Sequence, residues 1–216
     1  ITVTIPAGQT TVDVVIPITD DLIDEPNEVF NVEGTVTSGN TLNTNPSGTV
    51  TIIDNDATPT VTITSVIVNE GDGTATVQVN LDVASSVDTV IDIVTTTGTA
   101  GTADYTTTVI TVTIPAGQTT VDVVIPILDD AIDEDDETFT VGGTVTSGNT
   151  SNTTTSGTVT IIDNEGPPTV TIGSVSVNED AGTVTVPVTI SGVSAVDTVI
   201  DIITTTGTAG TADYTT

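Results

Sequence analysis

The sequence has no basic side chain. None of its 216 residues is Lys, Arg or His, whereas 30 are Asp or Glu, so the formal net charge is −30. No ion pair can form between side chains, and the carboxylates must be neutralised by solvent ions or by a bound metal. Nucleic acids and anionic membrane surfaces are bound mainly through Lys and Arg. We therefore expect neither as a partner.

Other missing residue types exclude further classes. Cysteine is absent, so no disulfide forms and thiols say nothing about the redox compartment. No apolar run approaches the ~20 residues of a membrane helix, so we expect no membrane insertion in this segment. Without His, Cys or Lys there is no ordinary base or nucleophile at neutral pH. A carboxylate pair such as glycosidases use is conceivable, but acids that recur in each copy favour a structural ion. We predict that the chain is not an enzyme.

The residues that are present indicate packed β-structure. Hydrophobic residues make up 36% of the chain and are mostly Val and Ile, which argues against disorder. About seven short alternating runs, separated by turns rich in Gly, Thr and Asn, predict a β-sandwich. Val61 and Ile63 share one parity, whereas Val66 and Val68 share the other. This change of phase predicts a bulge, or a first strand that crosses from one sheet to the other.

The chain is a repeat with a period of 109 residues. Ile1 to Ile18 recur without change as Ile110 to Ile127, and residues 61–107 recur more loosely as 170–216. A period near 100 fits a small independent β-domain better than one turn of a solenoid. Thr58-Pro59 and Pro167-Pro168 punctuate the array. We predict three units: residues 1–57 are the C-terminal half of one repeat, 58–166 are a complete repeat, and 167–216 are the N-terminal half of the next.

One stretch concentrates the charge. Asp129 to Glu137 holds seven carboxylates in nine residues, and a sister stretch runs from Asp20 to Glu28. Carboxylates 4 Å apart repel by roughly 1 kcal/mol in water and by more near a protein surface. Such a loop either stays solvated or gathers cations. Further acids follow strand ends, and alternating hairpins would bring them to one pole. That pole could supply the six to eight oxygens that Ca²⁺ prefers. These further acids are Glu70, Asp104, Asp163 and Glu165.

Asn149-Thr-Ser and Asn152-Thr-Thr match the acceptor pattern for N-glycosylation. Chance matches are frequent in a loop so rich in Thr. We interpret the loop as a flexible connection.

Several motifs, in this order within the repeat, resemble the Calx-β domain. They are Val177-Asn-Glu-Asp-Ala-Gly-Thr-Val184, Gly98-Thr-Ala-x-x-x-Asp-Tyr105, Ile114-Pro-Ala-Gly-Gln-Thr-Thr120, Val123-x-Ile-Pro-Ile-Leu-Asp-Asp130, Asp133-Glu-x-x-Glu-x-Phe139 and Thr158-Val-Thr-Ile-Ile-Asp-Asn164. Calx-β domains occur in sodium–calcium exchangers and in tandem arrays of bacterial surface proteins. The resemblance implies an all-β chain of tandem Ig-like, seven-stranded antiparallel β-sandwiches. Where such domains bind Ca²⁺, the ions cluster at one end.

The resemblance also implies a set of Ca²⁺ ligands. In the complete repeat they are Glu70, Asp104, Asp129, Asp130, Glu134, Glu137, Asp163 and Glu165. In the flanking halves they are Asp20, Asp21, Glu25, Glu28, Asp54, Asp56, Glu179 and Asp213.

Two departures from the family pattern remove charge. Strongly binding domains have three consecutive Asp residues at the last strand end, where this chain has Asp163-Asn164-Glu165 and Asp54-Asn55-Asp56. The third Asp of their acidic loop is Ala131 or Leu22 here. We therefore expect fewer ions or weaker binding. Asp133, Asp135 and Asp136 have no implied ligand role, and we expect them to be solvated.

The leading functional hypothesis is a segment of a long extracellular filament or adhesin stalk on a bacterial cell surface. Its repeats would be stiffened by Ca²⁺ at acidic poles near the junctions. Its partners would be neighbouring repeats of the same chain, with other copies in a filament as a further candidate. Two alternatives are a Ca²⁺-sensing regulatory module of a membrane protein and an accessory module of a secreted enzyme. A further alternative is that the chain has no metal site and that the acids at strand ends only keep its surface solvated.

Overall fold

The computed structural model describes residues 1–215. Its strands are β1 (Ile23–Asp24), β2 (Glu28–Glu33), β3 (Ser47–Ile52), β4 (Val61–Ile63), β5 (Val66–Asn69), β6 (Thr74–Leu81), β7 (Ala84–Ser85), β8 (Thr89–Thr97), β9 (Val109–Ile114), β10 (Thr120–Pro126), β11 (Ile132–Asp133), β12 (Glu137–Ser147), β13 (Thr154–Ile162), β14 (Val170–Ile172), β15 (Val188–Ile190) and β16 (Val193–Ser194). Two single 3₁₀ turns complete the elements, η1 (Glu70–Asp72) and η2 (Glu179–Ala181). None of the helices in this described range is long and apolar enough to cross a membrane.

Two sheets form the sandwich of the complete repeat. One has the strand order β10-β6-β4, and the other has the order β5-β13-β12-β8-β9. All of these neighbours are antiparallel except β5 and β13, which are parallel. The all-β sandwich expected from the sequence is confirmed.

The first strand does cross between the sheets. β4 pairs with β6 in the three-stranded sheet, and β5 pairs with β13 in the five-stranded sheet. Between them the backbone N–H of Thr64 donates to the carbonyl of Gln78 at 2.9 Å, and the hydroxyl of Ser65 accepts from the N–H of Thr158 at 3.0 Å. The change of parity thus marks a strand that takes part in both sheets: Val61 and Ile63 of β4 and Val66 and Val68 of β5 all pack on the same core.

The core is aliphatic, with one aromatic pair. Alternate residues of β6 are buried: Ala75, Val77 and Val79 are fully inaccessible to solvent. Burying a Val or Ile side chain contributes roughly 1.5–3 kcal/mol before entropy is counted. Tyr105 and Phe139 are the largest buried side chains. The polar residues between the buried ones face solvent, as the alternation predicts.

The flanking halves contain less β-sheet than the complete repeat. β2 pairs with β3, and β14 pairs with β15, as isolated hairpins. Ile1 to Ile18 form no strand, although the identical residues 110–127 hold most of β9 and all of β10. In the complete repeat these strands pair with β8 and β6, whereas no strand of the described residues pairs with residues 1–18. Backbone groups without a partner strand do not form a ladder.

Candidate metal centre

Strand ends that are distant in sequence meet at one pole of the complete repeat. η1 begins at Glu70, directly after β5, and Asp163 follows β13. Asp104 is held there by Tyr105, which forms a bridge with Ile127, and by its own carbonyl, which accepts from the N–H of Leu128 at 2.8 Å. The acidic loop between β10 and β12 closes the pole.

The first carboxylate cluster contains Glu70, Asp163 and Glu165. One oxygen from each lies within 4.8 Å of the others. Glu70 is only 4% exposed, and the other two are half-buried. Burial, followed by the charge of Asp130, raises the pKa of Glu70 to about 7. Burial and the charge of Asp163 also raise the pKa of Glu165.

This cluster holds acceptors that the protein does not satisfy. Within residues 1–215, Asp163 Oδ1 and Glu165 Oε2 are buried and have no hydrogen-bond partner. Leaving a charged acceptor desolvated without a partner is costly. The sequence has no Lys, Arg or His to compensate it. A cation is the partner that this arrangement fits.

The second cluster contains Asp104, Glu134 and Glu137, again with one oxygen each within 4.8 Å. All three are half-buried, and Asp104 Oδ2 accepts from the backbone N–H of Gly101 at 2.6 Å. The pKa of Glu137 is raised to about 7 by burial and by a shared hydrogen bond with Asp104. Burial and the charge of Asp104 raise the pKa of Glu134. A bound cation would therefore favour the deprotonated form of this cluster.

Asp129 and Asp130 lie beside these clusters and belong to neither. Both are exposed. Asp129 lies close to Gly71, where an added Cβ would sit 3.6 Å from its Oδ1. Asp130 Oδ1 accepts from the backbone N–H of Ile132 at 2.7 Å, so one of its oxygens already orders the loop.

The flanking halves reproduce parts of the pole. The acids implied in the N-terminal half line one cleft between the acidic loop and the end of β3; they are Asp20, Asp21, Glu25, Glu28, Asp54 and Asp56. Burial raises the pKa of both Glu25 and Asp56, with neighbouring carboxylates adding to the effect. In the C-terminal half Glu179 and Asp213 line a common cleft, and both are exposed.

The expectation for Asp133 is wrong. This residue is half-buried, and its Oδ2 accepts from the hydroxyl of Ser194 at 3.0 Å. Its counterpart Asp24 is 4% exposed. Sequence reasoning treated each repeat alone, so it missed a partner that the next repeat supplies. Asp135 and Asp136 are exposed, as expected.

The N-glycosylation pattern falls on side chains that are engaged in the fold. Asn149 Nδ2 donates to Asp24 Oδ2 at 2.8 Å. Asn152 Oδ1 accepts from the N–H of Val61 at 2.8 Å, and its Nδ2 donates to the carbonyl of Val61 at 2.9 Å. Both amides therefore attach the loop to neighbouring groups of the fold.

The fold and the pole define a class of β-sandwich modules with carboxylates clustered at one end. The chain belongs to the Calx-beta domain family, which matches residues 1–56, 54–165 and 168–216. The resemblance noted from the motifs is confirmed. Calx-beta domains are non-enzymatic modules, which is consistent with the prediction that the chain is not an enzyme.

Solved structures similar to this chain include three from Calx. The apo form of the Calx CBD1 domain is 19% identical with a TM-score of 0.40, and the match covers 49% of this chain and 98% of that one. The calcium binding domain CBD12 of CALX1.1 is 20% identical with a TM-score of 0.42, covering 48% and 44%. The Calx CBD2 domain is 14% identical with a TM-score of 0.38, covering 46% and 86%. No curated protein sequence gives a significant match.

Proposed function

We propose that this chain is a non-enzymatic segment of a long extracellular filament or adhesin stalk of a bacterial cell surface, and that Ca²⁺ bound at its acidic poles stiffens it. The observation that carries the proposal is the pair of three-carboxylate clusters, the first of which has two buried oxygens without a hydrogen-bond partner. Hard divalent cations prefer such oxygen-only sites, and Ca²⁺ tolerates their irregular geometry.

The position of the pole supports a role at the junction. Asp163 and Glu165 lie within four residues of Pro167-Pro168, which precedes β14 of the next repeat. We place the repeat boundaries at residues 57/58 and 166/167. An ion that neutralises this pole would remove repulsion beside the connection, and so restrict the angle between consecutive repeats.

Near-identity of the copies favours a stalk over a sensor. Ile1 to Ile18 and Ile110 to Ile127 are the same sequence. Repeating one unit sets length, whereas a sensor would gain from domains with different affinities. Extracellular modules bind Ca²⁺ with dissociation constants of about 10⁻⁴–10⁻³ M, which suits sites with few charges. A chain without Lys or Arg also offers no cleavage site to trypsin-like proteases, which suits an exposed stalk.

The direct test is calcium titration of the 216-residue chain by calorimetry, with thermal melting in chelator and in millimolar Ca²⁺. We expect heat of binding and a rise in melting temperature. Glu70→Gln and Glu137→Gln each keep the side-chain shape and remove one carboxylate from one cluster. Each should weaken binding by about tenfold or more, the equivalent of about 1.4 kcal/mol.

Asp122→Asn is the matched control, because Asp122 is exposed on β10 and lies in neither cluster. It should bind Ca²⁺ as the parent does. Absence of heat and of a melting shift in the parent would reject the metal centre and leave a solvating surface. The stalk itself is tested by electron microscopy of longer arrays: rod-like particles in Ca²⁺ and bent ones in chelator support it, and equal flexibility in both contradicts it.

A further inference from the structure

The acidic loop contacts the following repeat through two residues. β1 pairs in parallel with β7, so that Ile23 lies beside Ala84 and Asp24 lies beside Ser85. The carbonyl of Asp24 accepts from the N–H of Ser86 at 3.0 Å. This bridge joins the loop of one repeat to the chain segment between β6 and β8 of the next.

The same contact recurs at the second junction. β11 pairs in parallel with β16, so that Ile132 lies beside Val193 and Asp133 beside Ser194. The carbonyl of Asp133 accepts from the N–H of Ala195 at 3.0 Å. Each partner is displaced by 109 residues from its counterpart, so the two junctions repeat a single geometry.

The side chains add a polar lock to the bridge. Asp24 is 4% exposed and Ser85 is 1% exposed. Asp24 Oδ2 accepts from the amide of Asn149 at 2.8 Å and from the hydroxyl of Ser85 at 3.5 Å. At the other junction the hydroxyl of Ser194 donates to Asp133 Oδ2 at 3.0 Å. A buried carboxylate is thus satisfied by neutral donors of the neighbouring repeat.

The sequence retains both halves of this contact. Ile-Asp-Glu stands at 23–25 and again at 132–134. Ser-x-Val-Asp-Thr stands at 85–89 and at 194–198, directly after a stretch in which the two copies differ at most positions. The serine whose hydroxyl donates to the carboxylate is therefore the same in both copies, although most of the residues just before it differ.

We infer that the Ile-Asp dipeptide of each acidic loop and the Ser-containing edge of the next repeat form a head-to-tail latch that fixes consecutive repeats in one register. The partner of this surface is the adjoining repeat of the same chain. The bridge sets the position along the edge, and the carboxylate favours the serine, because an apolar residue there would remove one of the neutral donors that compensate its desolvated charge.

The latch is linked to the acidic pole through the backbone. Asp130 Oδ1 accepts from the N–H of Ile132 at 2.7 Å, and Asp21 Oδ1 accepts from the N–H of Ile23 at 2.9 Å. The residue that begins the latch is therefore oriented by an acid of the pole. The latch does not require a metal, and it goes beyond the proposed function by assigning the residues that hold the junction.

Engineered cysteines test the latch cleanly, because the chain has none of its own. Ile23→Cys with Ala84→Cys places two thiols at bridge partners, where a disulfide fits. Leu42→Cys with Ala84→Cys is the control pair, since Leu42 lies in the β2–β3 loop at the opposite end of its repeat from the acidic loop. Oxidation of the full chain in chelator should crosslink the first pair at least about tenfold faster.

The polar lock is tested within the same crosslinking assay. Asp24→Ala should slow the crosslink about tenfold, the factor that corresponds to about 1.4 kcal/mol for a lost charged acceptor. Ser85→Ala removes a donor to the same carboxylate and should also slow the crosslink. Asp13→Asn, which removes the same charge from an exposed position, should leave it unchanged. An unaltered melting curve shows that the complete repeat remains folded in each variant.

Equal rates for the two cysteine pairs, or full-speed crosslinking in Asp24→Ala, would overturn the latch. The same experiment repeated in millimolar Ca²⁺ separates it from the proposed function. Fast crosslinking that does not respond to Ca²⁺ supports the latch and contradicts stiffening by the metal. Acceleration by Ca²⁺ from an already fast rate supports both.

Discussion

Tyr105 stacks on Phe139 with ring centroids 3.9 Å apart and an angle of 9° between the planes. Asp104 directly precedes the tyrosine, and Glu137 lies two residues before the phenylalanine. The stack therefore fixes the separation of two members of the second carboxylate cluster. Aromatic rings supply a large rigid contact. Tyr105 and Phe139 are the only aromatic residues in the sequence of this repeat, and both lie within two residues of a member of the second cluster along the chain.

Removal of the Tyr105 hydroxyl should not harm the fold. Among residues 1–215 this buried hydroxyl has no hydrogen-bond partner, so Tyr105→Phe removes an uncompensated polar group. We expect the free energy of unfolding to rise by about 1 kcal/mol or to stay level. Tyr105→Leu, which loses the stack, should destabilise by about 3 kcal/mol and weaken Ca²⁺ binding. Urea unfolding measures both variants, and a large loss in Tyr105→Phe would contradict the assignment.

Stability without metal should fall as the pH rises. The folded-state pKa values of Glu70 and Glu137 are about 7, above the ordinary value of 4.5. The folded state binds these protons more tightly, so their stabilisation is complete below about pH 4.5 and is lost as the pH passes 7. For Glu70 the loss is on the order of 3 kcal/mol. Melting in chelator should therefore give a higher midpoint at pH 5 than at pH 8.

Calcium should reverse that trend, because the ion binds the deprotonated carboxylates. In millimolar Ca²⁺ we expect the melting midpoint to rise between pH 5 and pH 8, with protons released on binding. The double variant Glu70→Gln, Glu137→Gln serves as control and should show a smaller pH dependence in chelator than the parent. Parallel pH profiles with and without Ca²⁺ would argue against a metal at these clusters.

Gly157 should not accept a larger side chain. An added Cβ would lie 2.8 Å from Cγ2 and 2.9 Å from the carbonyl oxygen of Ile63, where β13 passes the end of β4. Overpacking of this kind costs about 1–3 kcal/mol. Gly142→Ala on β12 is the matched control, because its nearest neighbour is the carbonyl oxygen of Val94 at 3.6 Å. Thermal melting of the two variants should differ by several degrees, with Gly157→Ala the lower.

The complete repeat should fold alone, and the N-terminal half should not. Residues 58–166 hold both sheets and every residue of the buried hydrophobic core. Residues 1–57 hold only a hairpin and the contact at β1, and an isolated hairpin is marginal in water. We expect a cooperative melt with dispersed amide signals for 58–166. We expect neither for 1–57, and a cooperative transition there would contradict the account.

Much of the architecture could be read from the sequence because its signals are local. Alternation of Val and Ile locates β6 and β10, and the change of parity before Val66 reports the strand that changes sheets. The acids after strand ends could be placed at one pole, since antiparallel hairpins bring alternate ends together. Which acids would form a cluster could not be read: Asp129 and Asp130 lie beside the clusters, whereas Glu134 lies within one.

The sequence by itself determined the period, most strands of the complete repeat and the need to neutralise its charge with solvent ions or a bound metal. These follow from hydrophobic alternation, from exact recurrence and from 30 acids with no base. Only the tertiary structure decided that Ile1 to Ile18 form no strand while the same residues from Ile110 do, because a ladder needs a partner. It likewise decided that Asp133 meets Ser194, a contact between repeats that no pattern within one repeat contains.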